Sequence, residues 1–183
     1  MCMYKDIICK MEQCGINFTV GLEDEEISII EQEYGIVFPE ELKKFYREAL
    51  PVSNGFYNWR DRNDKNVKSI KRAIQIPVQE IIEDSEDIEW SEMWGEELAN
   101  SRERREKIAD MTLKAPKLIP IYSHRYMASV ECEKPPIFSI CGTDIIYFAK
   151  NISDYFLIEF KLKKFEGFNN DMVSYIPFWS DLI

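Results

Sequence analysis

Few residues in this chain could do covalent or acid–base chemistry. There is one histidine, His124, so any histidine-dependent nucleophilic or general-base scheme must pass through it. Cys132 and Cys141 follow it, which makes a cysteine–histidine dyad conceivable, but neither sits in a known nucleophile motif. His124 stands beside Arg125 at the end of an expected strand, where a structural role is the plainer reading. Asp144 resembles a strand-borne catalytic acid, yet one carboxylate without a base is not a mechanism, and aspartate is ordinary at a turn.

Carboxylates offer the other route to chemistry. Glu89, Glu92 and Glu96 stand at i, i+3 and i+7, so on a helix they would share a face and could attract Mg²⁺ or Ca²⁺. The aspartate-rich calcium loop with its glycine is missing, and charge runs of this kind are usually solvated faces. The seven glycines form neither a dinucleotide-binding nor a phosphate-loop pattern. The expectation is therefore a protein with no cofactor, no metal site and no enzymatic activity.

Composition points to binding instead. The chain has 183 residues, a formal charge of −10, 45% apolar residues and 13% aromatics. A chain of that length buries about 70% of its unfolded surface and needs no metal or disulfide to hold a core. One domain over residues 1–183 is expected. A pI near 4.8 disfavours direct nucleic-acid binding, which needs a basic footprint, and favours a basic protein partner. The five cysteines, Cys2, Cys9, Cys14, Cys132 and Cys141, show no ligand spacing and read as free thiols of a reducing compartment. No signal-like N-terminus and no apolar run of about 18 residues appears, so a cytoplasmic location without a membrane span is expected.

The elements that must position these residues fall in a clear order. Helical spacing of Met3, Ile7, Ile8 and Met11 predicts a first helix stopped by Gly15. A second carries Ile27, Ile30, Glu31 and Tyr34 on one face, with acids in its first turn and Gly35 at its end. After Pro39, Leu42, Phe45, Tyr46 and Ala49 mark a third, over residues 40–50. The segment 56–61 is a short strand or an ordered turn. A basic helix with Val67, Ile70, Ala73 and Ile74 is expected to end at Pro77. Residues 80–97 hold nine carboxylates and no lysine or arginine, with Trp90 and Trp94 spaced to stack on one side of a helix. A mixed-charge helix over residues 101–113 follows. Beyond Pro116 come two strands, then a hairpin around Cys141, Gly142 and Thr143, then a helix capped by Asn151 or Ser153. The aromatic tail is expected to fold back with one short terminal helix. The segment Pro116 to Phe160 should build the sheet at the centre of the fold.

Several pieces, in this order, resemble one family. They are Glu31, Tyr34, Gly35, Ile36, Phe38, Pro39 and the helix to Tyr46; Ser53, Asn54 and Gly55; Asn58, Trp59, Arg60 and Asp61; Leu118 through His124, Arg125, Tyr126 and Met127; and Pro136 through Gly142, Thr143 and Asp144 to Phe148. The set resembles the SUKH superfamily, which includes fungal cell-wall-synthesis regulators and bacterial immunity proteins, and looks closest to the bacterial branch. It covers residues 21–160. Ala128 stands where the pattern tends to have proline, and Cys141 and Gly142 replace more polar residues. The resemblance implies an α+β domain with a twisted, mainly antiparallel sheet of about four to six strands and helices packed around it. It implies a non-enzymatic immunity protein that binds and neutralises a cognate toxin, commonly a nuclease with a basic cleft. The alternative is a regulatory scaffold of the fungal type.

The family supplies no fixed contact set, so charge locates the expected surface. Glu83, Asp84, Glu86, Asp87, Glu89 and Glu92 are the candidates, with Trp90 and Trp94 as anchors among them. The plainer reading stands beside it: a solvated acidic loop with both tryptophans turned into the core.

Overall fold

The computed structural model describes residues 3–165, 167 and 169–183; Cys2 lies outside them. Its centre is a four-stranded antiparallel sheet in the order β3–β4–β5–β6, formed by Leu118–Tyr122, Arg125–Ala128, Ile137–Cys141 and Asp144–Ala149. Two of the three connections between paired neighbours are tight turns: Tyr122 pairs with Arg125, and Cys141 with Asp144. The sheet is buried on both faces. Ile119, Ile121, Met127, Ile137 and Ala149 point into one core, and Leu118, Tyr126, Ala128, Phe138, Ile140 and Ile145 into another. Side chains alternate along a strand, so a near-continuous apolar run is what a two-faced sheet demands. A register shift between Ile137 and Phe138 sets Phe138 opposite Tyr147 and Ile137 opposite Ala149, which keeps each pair on its own face.

The first core lies under α1 (Lys5–Gln13), α2 (Asp24–Tyr34), α3 (Glu40–Glu48) and α6 (Ile152–Glu159). A capping box between Glu23 and Glu26 starts α2, and Gly35 ends it at φ 59°, which costs a residue without a Cβ little. Asn151 caps α6, accepting from the Asp154 N–H at 2.9 Å. The third helix stops at Glu48, two residues short of expectation. Ala49–Pro51 instead form β2, which pairs with β1 (Phe18–Val20) in a small second sheet. Gly21 closes that corner: a Cβ there would lie 1.9 Å from the Arg47 carbonyl oxygen. The 56–61 segment holds one bridge, Phe56 to Tyr122, and then turns.

Two helical expectations were wrong. The basic helix does not end at Pro77; α4 runs from Asp64 to Glu83 with Pro77 buried inside it. Ile70, Ala73, Ile74, Pro77 and Ile81 form one unbroken buried stripe, and packing that stripe outweighs the lost backbone donor. Residues 84–97 are not a helix either. They form an irregular loop with a single 3-10 turn at Glu92–Trp94. It leads to α5 (Ser101–Thr112), capped by Asn100, whose side chain accepts from the N–H groups of Arg102 and Glu103. The second core is closed by α5, the C-terminal half of α4 and the tail, where Ile176, Phe178 and Trp179 are buried. The Trp179 indole donates to the Pro116 carbonyl at 2.7 Å, and the chain ends in a 3-10 turn at Trp179–Leu182. Among the described residues no helix is long and apolar enough to cross a membrane.

Candidate functional site

Among the described residues no hydrogen bond links the catalytic candidates to one another, although strand pairing sets His124, Cys141 and Asp144 at one end of the sheet. His124 is exposed at the tight turn between β3 and β4, and its ring shares a 3.3 Å hydrogen bond with the Ser123 hydroxyl. Partial burial and then the Arg125 charge lower its pKa. The Cys132 thiol contacts the Ser174 hydroxyl at 3.2 Å, and Cys141 is exposed at the hairpin. Asp144 is exposed beside it. Cys9, Cys14, Cys132 and Cys141 are all free thiols. Glu89, Glu92 and Glu96 lose the shared helix face that a metal site needed. Among the described residues, no three histidine, cysteine or carboxylate side chains gather closely enough to hold a metal ion.

The acidic segment is better organised than its sequence suggested. Glu83, Asp84, Glu86, Asp87, Glu89 and Glu92 are all exposed, and among the described residues none of their carboxylates makes a hydrogen bond or ion pair. What fixes the loop is a residue that sequence reasoning passed over. Arg104, 7% exposed on α5, donates from Nε to the Ser85 carbonyl at 2.8 Å and from Nη2 to the Ile88 carbonyl. Its Nη1 pairs with Glu97 at 2.6 Å. One planar guanidinium thus holds three points of the loop, which the fixed fork of arginine suits. Trp90 lies over that guanidinium, with the cation 4.9 Å from the ring centroid.

The tryptophans do meet, but not by stacking along a helix. Trp90 and Trp94 pack edge to face at 5.3 Å, brought together by the 3-10 turn. The Trp90 indole donates to the Gly95 carbonyl, and the Trp94 indole to the Asp181 carboxylate at 3.1 Å. Trp94 then stacks on Phe178 at 5.7 Å, nearly parallel. Both tryptophans are half-buried against the second core. The loop therefore combines a solvated row of carboxylates with aromatic rings seated beneath it. The signal for Arg104 was present in the sequence: it occupies a stripe position one turn before Ile108, where an apolar residue would be expected.

The motif residues that carried the resemblance turn out to be architecture. Trp59 is buried, donating to the Tyr46 hydroxyl at 3.1 Å, and packs edge-on against Tyr34 and Phe38. Arg60 binds both Glu26 oxygens at 2.7 and 3.0 Å and donates to the carbonyls of Val20 and Gly21. The Arg60 hydrogen bonds draw the Glu26 carboxyl down to about 2. Arg125 pairs with Glu159 at 3.0 Å and stands 3.9 Å from the Phe148 ring centroid. A family model described as the SMI1 / KNR4 family (SUKH-1) matches residues 21–158, well over half of the chain.

The chain belongs to this family. No curated protein and no solved structure matches it. SUKH proteins are generally non-catalytic immunity proteins or regulators, and the single α+β fold observed here is consistent with theirs. The matched SUKH span includes the entire four-stranded sheet and the acidic loop, but stops before the tail residues Ile176, Phe178 and Trp179 that close the second core.

Proposed function

We propose that this protein is a non-enzymatic immunity protein of the bacterial type, acting in the cytoplasm. It binds a cognate toxin domain with a basic surface, most simply a nuclease, and blocks its cleft. The observation that carries this reading is the row from Glu83 to Glu92: six exposed carboxylates with no internal partner, running from the last residue of α4 along a loop that Arg104 ties down. Unpaired charges on a preorganised frame lose little freedom when a cationic surface meets them, and they speed the encounter. A nuclease cleft built for phosphate offers the matching charge.

The first test is co-expression with the toxin domain encoded by the neighbouring gene, scored by survival. Protection is expected. Growth arrest despite expression, with capture of regulatory or wall-synthesis proteins instead, would move the assignment to the scaffold reading. The contact surface is tested separately by combining Glu83→Lys, Glu86→Lys and Glu89→Lys. Association should slow at least about tenfold at low salt and lose much of its salt dependence. An unchanged rate would place the contact elsewhere on the protein.

A further inference from the structure

The two tryptophans have different surroundings, and the difference assigns them different tasks. Trp90 is committed to Arg104 and to the Gly95 carbonyl. Trp94 instead forms one wall of a shallow groove, about 190 Å³ in volume, whose other apolar walls are Met111, Ala115, Pro177 and Phe178. Lys114 and Asp181 are its charged lining. Next along the chain to Trp94 and Lys114, Met93 is 77% and Leu113 84% exposed. Phe178 is held at φ 71°, a conformation costly for an aromatic residue, and in it stacks flat on Trp94. Strain of this kind, at a solvent-facing cleft, is a feature that function can account for.

We infer that this groove seats one large apolar side chain of a protein partner, flanked in the partner's sequence by lysine or arginine. Size decides the class of occupant. Sites for small organic ligands run to about 300–1,000 Å³, whereas one anchor side chain of leucine or phenylalanine size needs less. Charge decides its flanks. The groove's own lining holds one charge of each sign, Asp181 and Lys114, so the excess comes from the segment 80–97 to which Trp94 belongs, with nine carboxylates and no cation. Asp181 is kept in place by donors from Trp94 at 3.1 Å and Tyr175 at 2.6 Å. A bare apolar anchor could use the groove alone, but only one with basic flanks gains from the field around it.

The inference rests on the toxin-binding reading for its biological partner, but its chemistry can be tested without a toxin. The probes are two short synthetic peptides, one with a leucine between two pairs of lysines and its twin with serine for leucine. Each is titrated into the full chain and followed by the backbone amides in NMR. The leucine peptide should bind about tenfold tighter, as burial of one such side chain allows, with shifts centred on Trp94, Ala115 and Phe178. Ala115→Glu should abolish that preference and weaken the leucine peptide about tenfold, although it adds an attractive negative charge. Ala115→Gln fills the same space without the charge and should act alike, should the glutamate variant melt early.

Equal binding of the twins, tighter binding by Ala115→Glu, or no binding of either peptide would each overturn the groove. Failure of toxin protection, with the leucine preference intact, would remove the immunity reading and leave the groove standing.

Discussion

The two faces of the central sheet are held by different means. The first core is aromatic and deep: Trp59, Tyr46, Phe38, Phe45 and Phe156 pack ring to ring beneath four helices. The second is smaller and relies on a polar fastening. Ser85, Arg104 and Thr112, the buried polar residues among those described, belong to the elements that close it. Its lid joins α5 and the end of α4 to an acidic loop and a C-terminal tail. A face closed by full burial carries little that a partner could touch. A face whose covering loop is fastened by one arginine and half-buried rings leaves those rings and their flanking charges at the surface. The difference separates the part that makes the fold from the part available for recognition.

Three experiments press on that contrast. The largest effect is expected from Trp59→Ala, which empties the first core and strips the Tyr46 hydroxyl of its donor. Unfolding in denaturant should show a loss of about 4 kcal/mol. A loss similar to that of truncating half-exposed Trp90 would erase the distinction between the faces.

Arg104→Ala should come next, at about 3 kcal/mol, because two buried carbonyls lose their donor. Arg104→Lys should recover less than half, since an ammonium cannot span both carbonyls and Glu97. Proteolysis should cut the 84–97 loop in either variant while leaving the first core protected. Full rescue by lysine would show that charge alone, not the fork, fixes the loop.

The smallest effect concerns pH. Glu26, bonded to Arg60, has its folded pKa lowered from 4.5 to about 2. The stability it contributes is therefore present above about pH 4.5 and is lost as pH falls through about 2. Glu26→Gln should lower the melting temperature slightly at neutral pH and flatten the melting curve's acid dependence in that window. Its carboxylate is partly exposed, so solvent and salt shrink the effect. An unchanged acid limb would show that Arg60 holds its carbonyl partners without needing the carboxylate.

Much of this architecture is legible in the residues themselves. The apolar runs from Leu118 to Ala149, the turn at Gly142, the cap at Asn151 and the stop at Gly35 each follow from local chemistry, and each falls in place. The misses share a cause. Pro77 reads as a helix end because its missing N–H is a local fact, while the stripe that overrides it depends on distant partners. Trp90 and Trp94 are correctly paired, but through a 3-10 turn that spacing cannot distinguish from a helix. Arg104 was passed over, despite its stripe position one turn before Ile108, because an arginine on a charged helix reads as solvated. The loop folded against it gives that position its meaning. The groove beside Trp94 needed Pro177 and Phe178, more than eighty residues further along.

One helix has a consequence that neither core shows alone. α4 runs unbroken for twenty residues, about 30 Å, placing Ile70 and Ile74 in the first core and Ile81 in the second. Neither core can come apart without losing part of the same helix. Two cores of unlike composition are thus made into one cooperative unit, and the chain should melt in a single transition. A cation-bearing partner that tightens the loop after Glu83 would then slow hydrogen exchange at Ile70, on the far side of the sheet.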